Sequence, residues 1–149
     1  MPNIAIASND ALCKNLKSWF IKHYKCGDEN QFENMEDGDH LYIIAHDSEM
    51  KNGDEFIQYI SRFNYPMTDF EITLIVCSAD SYMFSEGLLK PSEAIANHFK
   101  RPVLASSTIV TGVWNDDGTA FFSGNFKKIN PGDDIISKMN NLNIDDQNN

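Results

Sequence analysis

The apolar positions fall into short runs separated by polar, turn-rich stretches, and their period changes along the chain. Asn3 to Ala7, Leu41-Tyr42-Ile43-Ile44-Ala45 and Ile72-Thr73-Leu74-Ile75-Val76 are brief and rich in β-branched residues and Leu, and polar residues bound them. All three read as short strands, the last as one buried on both faces. Between the first two runs, Leu12, Leu16, Trp19, Phe20 and His23 recur at helical spacing and predict an amphipathic helix over Ala11 to Tyr24. Ser8-Asn9-Asp10 offers its N-cap and Gly27 its stop. Further helices are predicted over Glu55 to Phe63, after Pro91-Ser92-Glu93, and over Ile135 to Leu142. Arg101 to Ala105 reads as a strand with Pro102 near its start, where proline is tolerated. Ile109 to Trp114 and Thr119 to Phe122 flank Asn115-Asp116-Asp117-Gly118, a hairpin signal. The order predicts an α/β fold: a single-domain, mostly parallel sheet flanked by helices, with a C-terminal antiparallel hairpin. It spans residues 1–142, and residues 143–149 form a polar tail.

Charge narrows the classes of partner. The chain of 149 residues carries 22 acidic against 12 basic side chains, a net charge of −10. It has no basic patch, so nucleic acid and anionic membrane surfaces are not expected as partners. A basic protein partner or substrate suits this charge, although acidity also serves solubility. Asp28 to Asp39 contains Asp28, Glu29, Glu33, Glu36, Asp37 and Asp39 with no Lys or Arg, and reads as an exposed acidic loop anchored by Phe32 and Met35. Cys13, Cys26 and Cys77 are an odd, sparse set without CxxC spacing, which argues against a disulfide framework and a zinc site. Cys13 and Cys26 read as structural, and His23, His40 and His98 form no ligand pair, so no metal is expected. No dinucleotide or P-loop glycine fingerprint is present, so no cofactor is expected either. The start shows no secretory signal pattern, and no run reaches membrane-spanning length, so the expectation is a cytoplasmic location, with delivery as an effector by a specialised secretion system as the alternative.

Two of the apolar runs end on chemically capable residues, one on His46 and the other on Cys77. Parallel strands deliver their last residues to one edge, where ligands collect in open α/β sheets. A thiol beside an imidazole there can act as nucleophile and acid/base, with backbone N–H groups at the turn as oxyanion donors. The plainer alternative is a cysteine serving as a small buried hydrophobe.

The pattern resembles the caspase-like clan of cysteine peptidases. The matching pieces are Leu41 to His46, Ile72 to Ser78, the helix through Ser92 to Phe99, Arg101 to Ala105, and Val113-Trp114-Asn115-Asp116-Asp117-Gly118. The nearest branch is the self-processing cysteine peptidase domain of bacterial toxins and effectors. The resemblance covers roughly Asp39 to Ser123 and implies Cys77 as nucleophile and His46 as acid/base. It implies a peptide or protein substrate, with Asp47, Ser78 and Asp80 at the oxyanion or substrate pocket, where the two aspartates would favour a basic P1 residue. The chain departs from the clan in carrying Asp47 where Gly normally follows the histidine. It also lacks the basic face through which the toxin domains take inositol hexakisphosphate. The alternative expectation is a catalytically inactive member of the fold, an acidic immunity or inhibitor protein that caps a basic partner.

Overall fold

In the computed structural model, which describes residues 3–46, 57–58, 67–77, 79 and 89–132, the apolar runs become strands of one sheet. β1 (Ile4–Ala7), β2 (His40–Ile44), β3 (Glu71–Ile75) and β4 (Val103–Ser106) pair side by side in that order, all parallel. β5 (Thr111–Trp114) and β6 (Ala120–Ser123) form a separate antiparallel hairpin. β7 (Phe126–Ile129) closes the five-stranded sheet antiparallel to β4. The α/β architecture with a mostly parallel sheet and an antiparallel hairpin is thus present. β7 is an addition that the sequence reading passed over.

The predicted helix α1 (Ala11–Tyr24) starts at Asp10, whose carboxylate accepts the N–H groups of Leu12 and Cys13 at 2.9 and 3.2 Å. An N-cap does this for otherwise orphan donors. The helix does not stop at Gly27. It stops at Lys25, which takes the left-handed conformation at φ 55°. Gly27 does a different job. Its N–H donates to Asn3 O at 2.7 Å and its carbonyl accepts from Ala5 N–H at 3.0 Å, making a parallel bridge to β1. Along β1, Ala5 therefore points its N–H towards Gly27, whereas Ser8 donates to Ile44 of β2 at 3.0 Å. The chain returns past the outer edge of β1 before entering β2, and the sheet grows from β1, its edge strand, in one direction only.

Different elements cover the two faces of the sheet. Ile4, Ile6, Leu41, Ile43, Ile72, Leu74 and Val76 pack with Ile95 and Phe99 of helix α2 (Pro91–Phe99) and with Phe32 and Met35. Ala5, Ala7 and Ile44 pack with Cys13, Leu16, Trp19 and Phe20 of α1. β3 is not buried on both faces, contrary to its sequence. Ile72 and Leu74 are buried, but Thr73 and Ile75 are only partly covered. The reason is that α1 lies against β1 and β2, which leaves the same face of β3 open beside it.

The acidic stretch holds a 3-10 helix, Glu29–Asn34, with Phe32 and Met35 buried as its anchors. The hairpin packs on α1. Trp114 Nε1–H donates to Asn15 Oδ1 at 3.1 Å, Trp19 Nε1–H donates to Asn115 O at 2.7 Å, and Phe122 stacks on Phe20 with centroids 6.2 Å apart. Trp114 and Phe122 face the body of the protein, whereas Phe121 is exposed. Gly118 closes the turn at φ 91°. Of the helix expected over Glu55 to Phe63, residues 57 and 58 are described and helical. The helix expected over Ile135 to Leu142, the tail 143–149 and the loop 80–87 lie outside the described residues. Among the described residues no helix is long and apolar enough to cross a membrane.

His40 opens β2 rather than preceding it, with Nε2 2.6 Å from Thr73 Oγ1 and Nδ1 3.3 Å from Glu71 Oε2. Burial holds its pKa below the ordinary 6.5, against the opposite pull of Glu71, and burial also lowers that of His98. An unfolded chain then binds more protons than the native one below about pH 6.5, so stability rises with pH through that window. The urea midpoint should accordingly be lower at pH 5.5 than at pH 7.5 with an unchanged m value. A midpoint that does not move between them would refute this account of the two rings.

A candidate cysteine, histidine and aspartate site

Strand register fixes where the predicted residues go. Ile44 pairs with Ile75, and Ala45 N–H donates to Ile75 O at 3.4 Å, so His46 and Cys77 each lie two residues beyond that pair. Side chains alternate across a strand. Ile44 and Ile75 face α1, Ala45 and Val76 face α2, and the next residues return to the α1 side. His46 and Cys77 accordingly line one cavity of about 290 Å³ at the carboxyl ends of β2 and β3. Its other walls are Leu12, Cys13 and Leu16 of α1, Ile75, and Val110, Gly112, Trp114 and Phe122 of the hairpin region. These walls are mostly apolar. The volume lies at the small end of ligand pockets, which run to about 300–1,000 Å³, and suits one side chain better than a cofactor.

The cavity forms where coverage of the sheet changes hands. α1 starts over the ends of β1 and β2, and the hairpin arrives from beyond β4, so the exposed part of β3 becomes a floor between them. Ligands favour the carboxyl edge of open α/β sheets.

His46 is held from one side. Its Nε2 lies 2.9 Å from Asp10 Oδ2, the same oxygen that caps α1. The Cys13 N–H first, and then the His46 ring beside it, keep the Asp10 carboxyl below the usual carboxylate range. Asp10 thus stays ionised at neutral pH and accepts from the ring. A proton on Nε2 makes Nδ1 the basic nitrogen of the neutral imidazole.

Cys77 is half-buried, and the backbone at Val110 brackets its sulfur. Val110 N–H donates to Sγ at 3.3 Å, and the thiol donates to Val110 O at 3.6 Å. Burial pushes the Cys26 thiol up to about 11. Cys26 therefore remains protonated and inert at neutral pH.

Cys13 is the residue that the sequence reading undervalued. It is buried in the first turn of α1, yet it lines the cavity. Ligand atoms of Asp10, Cys13 and His46 all lie within 4.8 Å of one another. The signal was available as an N-cap aspartate with a cysteine three residues later, on the same side of a helix. What the sequence does not give is that the helix start overlies the end of β2. The expectation of no metal-ligand constellation rested on the histidines at 23, 40 and 98 and did not pair His46 with α1. Asp47, Ser78 and Asp80, expected at the pocket, lie outside the described residues. Compared with protein-family models, curated proteins and solved structures, the chain finds no match.

Proposed function

We propose that this protein is a caspase-like cysteine peptidase in which Cys77 is the nucleophile, His46 the acid/base and Asp10 the residue that positions His46. The observation that carries this reading is that His46 and Cys77, 31 positions apart in sequence, line one cavity with the His46 ring held by a carboxylate. In this scheme His46 takes the Cys77 thiol proton, the thiolate attacks the peptide carbonyl carbon, and the C=O electron pair moves onto oxygen. Backbone N–H groups at the turn, that of Cys77 among them, stabilise the oxyanion. His46 delivers a proton to the leaving amine as the C–N bond breaks, leaving a thioester. Water, deprotonated by His46, then attacks the thioester and releases the acid and the Cys77 thiol. The apolar walls favour an apolar P1 side chain over the basic one that Asp47 and Asp80 suggested from sequence.

The test is hydrolysis of a fluorogenic peptide pool varied at P1, run alongside iodoacetamide labelling mapped by mass spectrometry. Cys77 should label fastest, Cys26 should lag as an internal reference, and loss of hydrolysis should track Cys77 modification. No hydrolysis at any P1, with Cys77 reacting no faster than in the denatured chain, would sink the peptidase. That outcome would leave the second reading, a non-catalytic acidic module for a basic partner, which the exposed Glu33, Glu36 and Asp37 favour.

A further inference from the structure

We propose that Asp10, Cys13 and His46 form a binding site for a divalent transition metal ion of the zinc class. The three side chains supply a carboxylate oxygen, a sulfur and an imidazole nitrogen, the donor types that zinc takes, and these converge within 4.8 Å of one another. In a tetrahedral site with Zn–S about 2.3 Å and Zn–N or Zn–O about 2.0–2.2 Å, donor atoms sit roughly 3.3–3.6 Å apart. The 2.9 Å contact between Asp10 Oδ2 and His46 Nε2 must then open by about half an ångström, and the sulfur need close by little more than one. Side-chain rotation covers movements of this size.

The surroundings support the donors. The N–H groups of Leu12 and Cys13 already fix the Asp10 carboxylate, as outer hydrogen bonds do for metal-ligating carboxylates. Cys13 lies in the first turn of α1 and lines the same cavity as His46. The helix dipole at this end opposes a cation, but two anionic ligands outweigh its half charge. Binding releases the Cys13 thiol proton to solvent, takes His46 neutral and Asp10 ionised, and involves no electron transfer. Three protein ligands leave the fourth position to water, on the side of the cavity that Cys13 and His46 line.

The site shares His46 with the proposed peptidase. If that reading holds, a metal-bound His46 cannot act as acid/base, and the metal is an inhibitor. The binding claim itself does not depend on it.

The probe is cobalt(II), added to the metal-stripped full chain, with zinc measured by calorimetry. One equivalent should bind and give a near-ultraviolet thiolate-to-cobalt band with visible bands of tetrahedral intensity. Cys13→Ser should abolish the thiolate band, and His46→Ala should weaken zinc binding at least about tenfold, the lower end of what even outer-shell changes cost. Cys77→Ser should retain the band. Far-UV dichroism of each variant separates loss of ligand from loss of fold, and if Cys13→Ser does not fold, His46→Ala decides. No thiolate band in the wild type, or a band lost in Cys77→Ser and kept in Cys13→Ser, would overturn the site. An intact band with zinc-insensitive hydrolysis would overturn only the inhibition, and an intact band in a protein without hydrolysis would overturn only the peptidase.

Discussion

Replacing His46 with alanine is expected to lower kcat/KM for peptide hydrolysis by at least about a hundredfold, the lower end for losing a positioned acid/base group. That corresponds to about 2.7 kcal/mol of transition-state stabilisation. On the proposed reading the loss should fall on kcat, because the ring would move protons and contribute little to the apolar walls that would hold substrate. Asp10→Asn separates positioning from chemistry. Asparagine caps helices about as well as aspartate, so α1 should remain. The ring loses its anionic partner, however, and the imidazolium formed during reaction loses its stabilisation. Activity should therefore drop by less than in His46→Ala, with the acid limb of the pH–rate profile displaced. If Asp10→Asn matches the wild type in both kcat and pH profile, the 2.9 Å contact to His46 serves only the helix cap.

The second large effect concerns Phe20. This side chain is 2 % exposed and lies 4.6 Å from Tyr42, 5.3 Å from Trp19 and 6.2 Å from Phe122, ring centroid to ring centroid. It joins α1, the sheet and the hairpin at one point. Phe20→Ala should cost about 3–5 kcal/mol, the range for emptying a buried phenyl site. For a chain of this size the melting temperature should fall by roughly 10–15 °C. Phe121→Ala is the control, because Phe121 is 69 % exposed one residue from Phe122. A change within about 0.5 kcal/mol is expected there. Equal losses at both positions would mean that the hairpin faces the protein with its other side.

The parts of the fold that periodicity marks strongly were legible. Leu16, Trp19 and Phe20 give α1 its span because one face must be buried, and the runs at Leu41 and Ile72 give β2 and β3 for the same reason. β7 was not legible. Lys127 and Lys128 occupy half of a four-residue edge strand, and an edge with lysines carries no apolar alternation to detect. The end of α1 was misplaced because Gly27 looks like a helix stop, whereas Lys25 bears the left-handed conformation and Gly27 the bridge to β1. At the candidate site, His46 and Cys77 could be nominated because each ends an apolar run. Asp10 and Cys13 showed only as an N-cap pair, because their relation to His46 depends on the start of α1 overlying the end of β2. No local pattern encodes that placement.

The hairpin is a two-stranded sheet of its own, yet it supplies Gly112, Trp114 and Phe122 to the cavity. The reactive groups come instead from the ends of β2 and β3 and from the start of α1. On the proposed peptidase reading, recognition and reactivity therefore sit on separately exchangeable pieces of chain. A library confined to Thr111–Trp114 and Ala120–Ser123 can remodel the shape of what is accepted while Asp10, Cys13, His46 and Cys77 stay in place. Gly112 is the position to vary first, because a Cβ there would press against the Phe122 ring at 2.6 Å and move that wall.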